Sequence, residues 1–268
     1  LFGVQSVQYY LNEGIKELQS MQLTDGSFSY WRNSDIQYND ITIYVTHFLV
    51  EARDAGYKIP KGMLNKSLDW CKQLARSSTG LKYNEKINHS HRVYANYVLA
   101  LAGDTDPNSI HYLKDFNIDK LKDYRRYQLA FCLHRLGEIE DAYNLIPKSA
   151  PIPNLKDEGW KNDAHKYAMM LSVLLDIMPD NHQIPNLIKV LNNSLNSNGR
   201  WYNTYQNAYA LIGLGKYLKT KKNQEPTEGR IIIEGEKSIN FKLEDVYLNN
   251  NDWAGKNVEI IVDKGESA

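Results

Sequence analysis

Hydrophobic residues recur at steps of three and four along residues 4–218, a spacing that predicts α-helices. Two kinds of helical segment alternate. Segments 4–21, 61–75 and 184–195 carry a single apolar stripe, whereas segments 40–55 and 91–102 are apolar around most of their circumference. The other predicted helices are residues 110–116, 124–136, 139–145, 163–177 and 204–218. The alternation predicts a series of helical hairpins.

The two kinds of helix need different cover. A helix that is apolar all round must be covered on both sides, while a striped helix needs cover on one side only. Each apolar helix also carries a tyrosine near its start, at intervals of 50, 33, 40 and 42 residues: Tyr44, Tyr94, Tyr127, Tyr167 and Tyr209. We therefore predict an all-α fold, an α/α toroid of five hairpins with the apolar helices inside. An open solenoid of the same hairpins is the competing architecture.

The composition changes near the end of the chain. Residues 219–229 are rich in Lys, Asn, Gln, Glu, Pro and Gly and are typical of a linker. Segments 230–234, 238–244 and 258–262 then have the patterns of β-strands. About forty residues with three strands and no closing partner are too little for an independent β domain. We predict a toroid over residues 1–222 and, over residues 229–268, strands of an adjoining β domain.

Charge and hydropathy exclude some classes of protein. The 268 residues include 32 acidic and 32 basic residues, so the basic excess typical of nucleic-acid binders is absent. No run of eighteen apolar residues exists, so no segment is expected to insert into a membrane. Cys71 and Cys132 lie in helical patterns and are expected to be buried free thiols. The chain opens at Leu1 without a methionine or signal peptide, so we expect a fragment or a processed form.

The stretch from Gln22 to Phe48 predicts a helix, a glycine-aromatic turn and a second helix. Asp25 and Gly26 end the first helix, because glycine adopts the left-handed conformation that stops one. Asp40 is expected to cap the next helix by accepting hydrogen bonds from its free backbone amides. The aromatic residues between them must pack on an apolar surface or bind a partner.

Three segments resemble bacterial α2-macroglobulin-like proteins in the same order along the chain. They read QLTDGSFSYW at 22–31 (following the helix at 4–21), NDITIYVTHFLVEARDAGYKIP at 39–60, and TYQNAYAL at 204–211. The resemblance covers residues 4–218 and implies the thioester domain of that family, an α/α toroid of six hairpins inserted in a β domain. The missing hairpin would then precede Leu1, and the strands would belong to a neighbouring β domain of the same polypeptide.

The reactive bond of the family joins a Cys side chain to a Gln side chain within a Cys-Leu-Glu-Gln sequence. No such sequence occurs here, since Lys-Gln-Leu follows Cys71 and Leu-His-Arg follows Cys132. The resemblance places the motif upstream of Leu1, and some bacterial members lack the thioester. It implies a module of a broad-spectrum protease inhibitor that traps proteases after bait cleavage. The module itself would not be an enzyme, and its parent would be periplasmic or at the cell surface, with a lipid anchor outside this chain.

Aromatic residues ahead of the inner helices are the candidates for an interaction surface. They are Phe28, Tyr30, Trp31, Tyr38, Trp201 and Tyr202. They would cover the thioester or dock a neighbouring domain. The structural alternative is that they plug the end of the toroid.

His89 and His91 stand before an inner helix. In complement relatives of the family, a histidine in this region assists acyl transfer from the thioester, so the resemblance implies this role for His89 or His91. Capping of the helix by Asn88 or Ser90, with solvated histidines, is the structural alternative. A metal site there lacks a third ligand at suitable spacing.

Enzymes on related toroids are the second hypothesis. Paired carboxylates would suit an α/α-barrel carbohydrate-active enzyme, and the candidates are Asp25, Asp35, Asp40, Asp157 and Glu158. Capping and turn formation already account for Asp25 and Asp40. The sequence lacks an Asp-Asp pair for a terpene cyclase, an Asp-x-Cys context for a zinc prenyltransferase, and glycine motifs for nucleotides. No cofactor is predicted, and a thioester-free interaction toroid is the third hypothesis.

Overall fold

The computed structural model describes residues 4–77, 89–118, 121–150, 163–221, 228–236, 238–242 and 256–264. The chain divides into two compact units, Leu1–Leu214 and Gly215–Ala268. The division falls inside the last helix. The domain boundaries given by the sequence, 1–222 and 229–268, stay a prediction.

Ten α-helices lie in the described part of the chain. They are α1 (Val4–Met21), α2 (Asn39–Asp54), α3 (Lys61–Arg76), α4 (His89–Leu101), α5 (Pro107–Asn117), α6 (Asp123–Arg135), α7 (Ile139–Leu145), α8 (Ala164–Ile177), α9 (Ile184–Asn193) and α10 (Thr204–Lys221). Taken two by two in chain order, they make five successive pairs of an odd-numbered and an even-numbered helix. None of these helices is long and apolar enough to cross a membrane.

The even-numbered helices form the inner layer. Helices α2, α4, α6 and α8 pack side by side in that order, and α3, α5, α7 and α9 each pack on the inner helix next to them. Helix α4 is buried without interruption over residues 92–100. Helix α3 instead buries a stripe that includes Met63, Ser67, Trp70 and Leu74. These burial patterns confirm the predicted α/α toroid arrangement.

Helix α10 approaches α8 through a glycine. A Cβ atom on Gly213 would lie 2.9 Å from the carbonyl oxygen of Ala168, so only glycine allows the two backbones this approach. The helices at the two ends of the series are less covered than those between them. Ile15 is the buried apolar side chain among those described on α1, and Leu211 on α10 is 63% exposed.

The turn after α1 contacts α2 and α3. Gly26 has φ 91°, and a Cβ there would lie 2.2 Å from the carbonyl oxygen of Lys66 in α3. The Thr42 hydroxyl of α2 accepts from the Phe28 backbone amide at 2.9 Å and donates to the Tyr38 carbonyl at 2.7 Å. The prediction that Asp40 caps α2 is wrong. Tyr38 is the N-cap residue and makes no side-chain capping bond, and Asp40 lies within the first turn.

The second unit contains a small antiparallel sheet. Its strands are β1 (Glu228–Ile233), β2 (Ile239–Lys242) and β3 (Val258–Lys264), in the order β2-β1-β3. Ile231 pairs with Ile239 on one side and Ile260 on the other. The short β segment after the helices is therefore confirmed.

Candidate functional site

A cavity of about 460 Å³ lies where four inner helices begin. It is lined by Asp40, Ile41 and Tyr44 of α2, His91 and Tyr94 of α4, Arg125 of α6, Thr204 and Tyr205 of α10, and Tyr30 of the glycine-aromatic turn. All four helices therefore direct their N-terminal ends toward one space. Their free amide groups and aligned dipoles give this end of the helical unit a positive electrostatic character.

The position of each tyrosine in its helix decides whether it reaches this region. Tyr44, Tyr94 and Tyr209 are the sixth residues of α2, α4 and α10. The Tyr209 ring lies 5.7 Å from that of Tyr44. Tyr127 is the fifth residue of α6 and donates instead to Gln183 Oε1 at 2.7 Å. Tyr167, the fourth residue of α8, lines a different cavity.

A buried hydrogen-bonded group joins three inner helices below the cavity. The hydroxyls of Tyr94 and Tyr209 hydrogen bond with each other, and the Tyr94 hydroxyl lies 3.0 Å from Nδ1 of His47. All three side chains are buried. Burial raises the pKa of Tyr94 and of Tyr209 well above the ordinary value, so both phenols stay neutral at physiological pH.

Arg125 brings a positive charge into this apolar and aromatic environment. It is 9% exposed. Its Nε donates to Ser90 Oγ at 3.1 Å, and Nη1 donates to Gln128 Oε1. The guanidinium carbon lies 4.8 Å from the ring centre of Tyr94 and 4.7 Å from that of Tyr124. Among the residues that the structure describes, no carboxylate forms an ion pair with Arg125.

His165, the second residue of α8, extends the cluster toward α10. Its backbone amide donates to Gln206 Oε1 at 2.6 Å, and its Nδ1 lies 2.9 Å from Gln206 Nε2. The imidazole also lies 5.1 Å from the ring of Tyr205. Burial lowers the pKa of His165 to about 4, and the hydrogen bond with Gln206 opposes this only in part. The imidazole is therefore neutral at physiological pH.

The two histidines proposed from the sequence occupy different positions at the start of α4. His89 is its first residue and His91 its third, and both are half-buried. His91 lines the cavity, whereas His89 is not among the lining residues. Asn88, the proposed capping residue, lies outside the described residues. The role of either histidine in acyl transfer stays a prediction.

The six candidate surface aromatics divide into two groups. Trp31 is 73% exposed and Tyr202 is 68% exposed, while Tyr30 is partly exposed and packs edge-on against Tyr38 at 4.6 Å. The expectation of an interaction surface is wrong for the other two. Phe28 is fully buried, and its backbone amide donates to the Thr42 hydroxyl. Trp201 is also buried, and its Nε1 donates to the Leu191 carbonyl.

The predicted carboxylates are separated by their local roles. Asp25 Oδ1 accepts from the Ser27 backbone amide at 3.0 Å and from the Ser27 hydroxyl at 2.6 Å, which makes it a turn residue. Asp40 lies at the rim of the cavity and Asp35 is exposed. Asp157 and Glu158 lie outside the described residues. Within the described part of the chain, no group of three His, Cys, Asp or Glu side chains could hold a metal ion.

The two cysteines are free and buried, as expected from their helical patterns. Burial raises the pKa of the Cys71 thiol to about 12 and raises that of Cys132 as well. A thiol that remains protonated and inaccessible is a poor nucleophile. Neither cysteine has the character of a reactive centre.

Sequence analysis did not identify Arg125, His47 and His165 as members of one cluster. Each is a polar residue in a predominantly apolar inner helix, and this is the sequence feature that could have identified them. A buried polar residue of this kind is usually satisfied by partners from other elements. Only the packing of α2, α4, α6, α8 and α10 shows those partners.

The helical hairpins followed by a short sheet, with a cavity at the inner helix N-termini, define a module of the α/α toroid class. No protein-family model matches the chain. The chain is 24% identical over 243 residues to alpha-2-macroglobulin of Escherichia coli K12, which covers 86% of this chain and 15% of the relative. It is 34% identical over 95 residues to that of Xylella fastidiosa, covering 34% of this chain and 6% of the relative.

Solved structures give the same result for the fold. The native E. coli alpha-2-macroglobulin fragment from domain MG7 to the C-terminus aligns with a TM-score of 0.67 at 20% identity, covering 90% of this chain and 39% of that one. The Salmonella protein reacted with methylamine aligns with a TM-score of 0.68 at 16% sequence identity, and the alignment covers 90% of this chain and 16% of the Salmonella chain. The E. coli protein activated by porcine elastase aligns with a TM-score of 0.66 at 20% sequence identity, and the alignment covers 97% of this chain and 24% of the E. coli chain. The resemblance to bacterial alpha-2-macroglobulins is therefore confirmed, and the chain spans less than half the length of each.

Proposed function

We propose that this chain is the helical thioester-type module of a bacterial alpha-2-macroglobulin-like protease inhibitor, together with strands of the β domain beside it. The main support for the proposal is that the similarity extends over most of the chain, in sequence and in structure. The E. coli relative covers 86% of the chain in sequence, and its solved fragment covers 90% of it in structure. Bacterial alpha-2-macroglobulins act as protease inhibitors.

The module would act by position rather than by catalysis. In the proposed mechanism, a protease cuts a bait segment elsewhere in the parent protein, the parent rearranges, and the helical unit helps to enclose or covalently hold the protease. E. coli alpha-2-macroglobulin has been solved after activation by elastase and by trypsin, which supports proteases as partners. We propose an envelope location for the parent, periplasmic or at the cell surface through a lipid anchor.

The thioester of such a parent would be contributed from outside these residues. Cys71 and Cys132 are buried and lack the Cys-Leu-Glu-Gln context. The exposed Leu211 and the sparse cover of α1 support a further helical pair beside them. The end of the unit where the inner helices begin is the proposed thioester end. His91, which lines the cavity there, is the better placed of the two histidines for acyl transfer.

Trp31 and Tyr202 are proposed as contacts to a neighbouring domain, since both aromatic side chains are largely exposed. Double substitution Trp31→Ser with Tyr202→Ser in the parent should leave folding intact and change the rearrangement after bait cleavage. The measurement is the shift in native gel mobility with protease. An unchanged shift would remove these two residues from the proposal.

The thioester is tested by the intact mass of the full-length parent before and after methylamine treatment. A mass gain accompanied by one new free thiol would show a live thioester, with this module as part of its carrier. No change in a folded parent would identify a thioester-free member. In that case steric trapping or protein docking would remain as the role of the helical unit.

A further inference from the structure

Arg125 is a buried cation whose described partners are all neutral. Its hydrogen bonds go to the hydroxyl of Ser90 and the amide oxygen of Gln128. A guanidinium has five N–H donors in a planar fork, and two described acceptors leave part of that fork available. The rings of Tyr94 and Tyr124 supply further stabilisation, which is weaker than that of a paired carboxylate.

Arg125 is also one of the residues that line the cavity, although it is only 9% exposed. The small part of this residue that is accessible therefore faces the cavity. Burial of an unpaired charge is costly, and proteins normally compensate it with an opposite charge. In the described part of the chain, Asp40 is the carboxylate on the cavity wall, and it forms no ion pair with Arg125 there.

The surroundings of Arg125 also favour an anion. The first turns of α2, α4, α6 and α10 meet at the cavity, and helix N-termini attract negative charge. Tyr44 and Tyr205 add aromatic walls with phenolic groups. The opening is rimmed by exposed Asp40 and partly exposed Tyr30, so a ligand can enter.

We propose that this cavity is a carboxylate-binding site in which Arg125 forms the ion pair. The planar guanidinium suits a carboxylate in two-point contact, and the cavity of about 460 Å³ has room for a small dicarboxylate or for an acidic side chain. The site binds the carboxylate either as a free small molecule or as part of a polypeptide. Carboxylate binding at this site does not require that the parent traps proteases.

The test titrates the 15N-labelled 268-residue chain with glutarate and follows the arginine Nε–Hε resonances by NMR. The Arg125 resonance is assigned by its disappearance in Arg125→Lys. Glutaramide, which has the same shape without charge, and sodium chloride at equal ionic strength are the controls. We expect a saturable shift of the Arg125 resonance with glutarate, at a Kd of about 1 mM or tighter, and no saturable shift with either control.

Two variants separate the site from general charge effects. Arg125→Gln should weaken glutarate binding at least about tenfold. Arg126→Gln is the matched control, because Arg126 is the next residue of α6 and is not among the lining residues; it should bind as the unaltered chain does. If Arg125→Gln fails to fold, the titration of the unaltered chain still decides the question.

A second titration, with a peptide in place of glutarate, identifies the source of the carboxylate. Acetyl-Gly-Glu-Gly-amide is compared with its Gln counterpart. Tighter binding of the Glu peptide than of glutarate assigns the site to an acidic side chain of a polypeptide, and the reverse order assigns it to a small dicarboxylate. The proposal is overturned if neither probe shifts the Arg125 resonance saturably, if glutaramide binds equally well, or if Arg125→Gln binds with unchanged affinity.

Discussion

The Nδ1 atom of His47 in α2 lies 3.0 Å from the hydroxyl of Tyr94 in α4, and that hydroxyl also hydrogen bonds with Tyr209 in α10. One buried polar group thus connects three inner helices that are far apart in sequence. Such a group contributes specificity only while every member keeps its partners.

Tyr94→Phe should therefore lower the free energy of unfolding by about 1–3 kcal/mol, because it leaves His47 and Tyr209 without a shared partner in the core. Urea denaturation followed by circular dichroism measures the change. Tyr202→Phe is the control, since Tyr202 is 68% exposed, and it should be neutral. Equal stability of Tyr94→Phe and the unaltered chain would show that the hydroxyl contributes little.

Gly26 should tolerate no side chain. Gly26→Ala requires a positive φ and places Cβ 2.2 Å from the Lys66 carbonyl oxygen, so the turn must move away from α3. We expect a loss of about 2 kcal/mol or more in the free energy of unfolding. Gly14→Ala, in open space within α1, should stabilise the chain by about 0.5–1 kcal/mol. Similar effects of the two substitutions would contradict the described packing of the turn.

His165 should make stability depend on pH. Its pKa is lowered to about 4 in the folded chain, against about 6.5 when unfolded. Between these values the unfolded chain binds a proton that the folded chain does not, so acidification favours unfolding. The contribution is fully present above pH 6.5 and is lost as the pH falls toward 4, by at most about 3 kcal/mol.

Chemical denaturation at pH 7 and pH 4.5 tests this dependence. His165→Gln cannot titrate and should lose less stability over the interval than the unaltered chain. The carboxylates and the other histidines contribute equally to both proteins. The difference between the two proteins in the loss of unfolding free energy from pH 7 to pH 4.5 therefore isolates His165. Parallel slopes would mean that His165 is not buried in its neutral form.

Cys71 and Cys132 should be inert in the folded chain. Both thiols are buried with raised pKa values, so a thiol-specific disulfide reagent at pH 8 should react with neither until the chain unfolds. Denaturation should expose two thiols. Rapid reaction of either cysteine in the native chain would contradict its burial, and it would also complicate any count of thiols released from a thioester in the parent.

Periodic segments were predictable because local spacing decides them. The predicted bounds of α1 and α7 agree with the structure, and the continuous burial of α4 follows from its all-round apolar composition. Capping was less predictable. Asp40 has the right chemistry for an N-cap, but α2 begins one residue earlier, at Asn39, where the chain is held by the contact between Phe28 and Thr42.

Burial of single side chains depends on contacts between distant segments. Phe28 and Trp31 lie three residues apart in the glycine-aromatic turn, yet Phe28 is in the core and Trp31 is exposed. The cavity was equally hidden, because Arg125 meets His91 and Tyr205 only after four helices have packed. The tyrosine repeat indicated the inner layer. Tyr127, however, is the fifth residue of its helix rather than the sixth, and it hydrogen bonds with Gln183 instead of joining the cluster.

Inhibition of proteases by the full-length parent is the decisive test of the proposal that the parent is a protease-trapping inhibitor. The parent is mixed with elastase or trypsin, and the remaining protease activity is measured on a large protein substrate and on a small peptide substrate. We expect activity on the large substrate to fall sharply while activity on the small substrate persists, because a trapped protease would keep an open active site. Full activity on both substrates, with the parent cleaved, would show that the parent does not trap proteases.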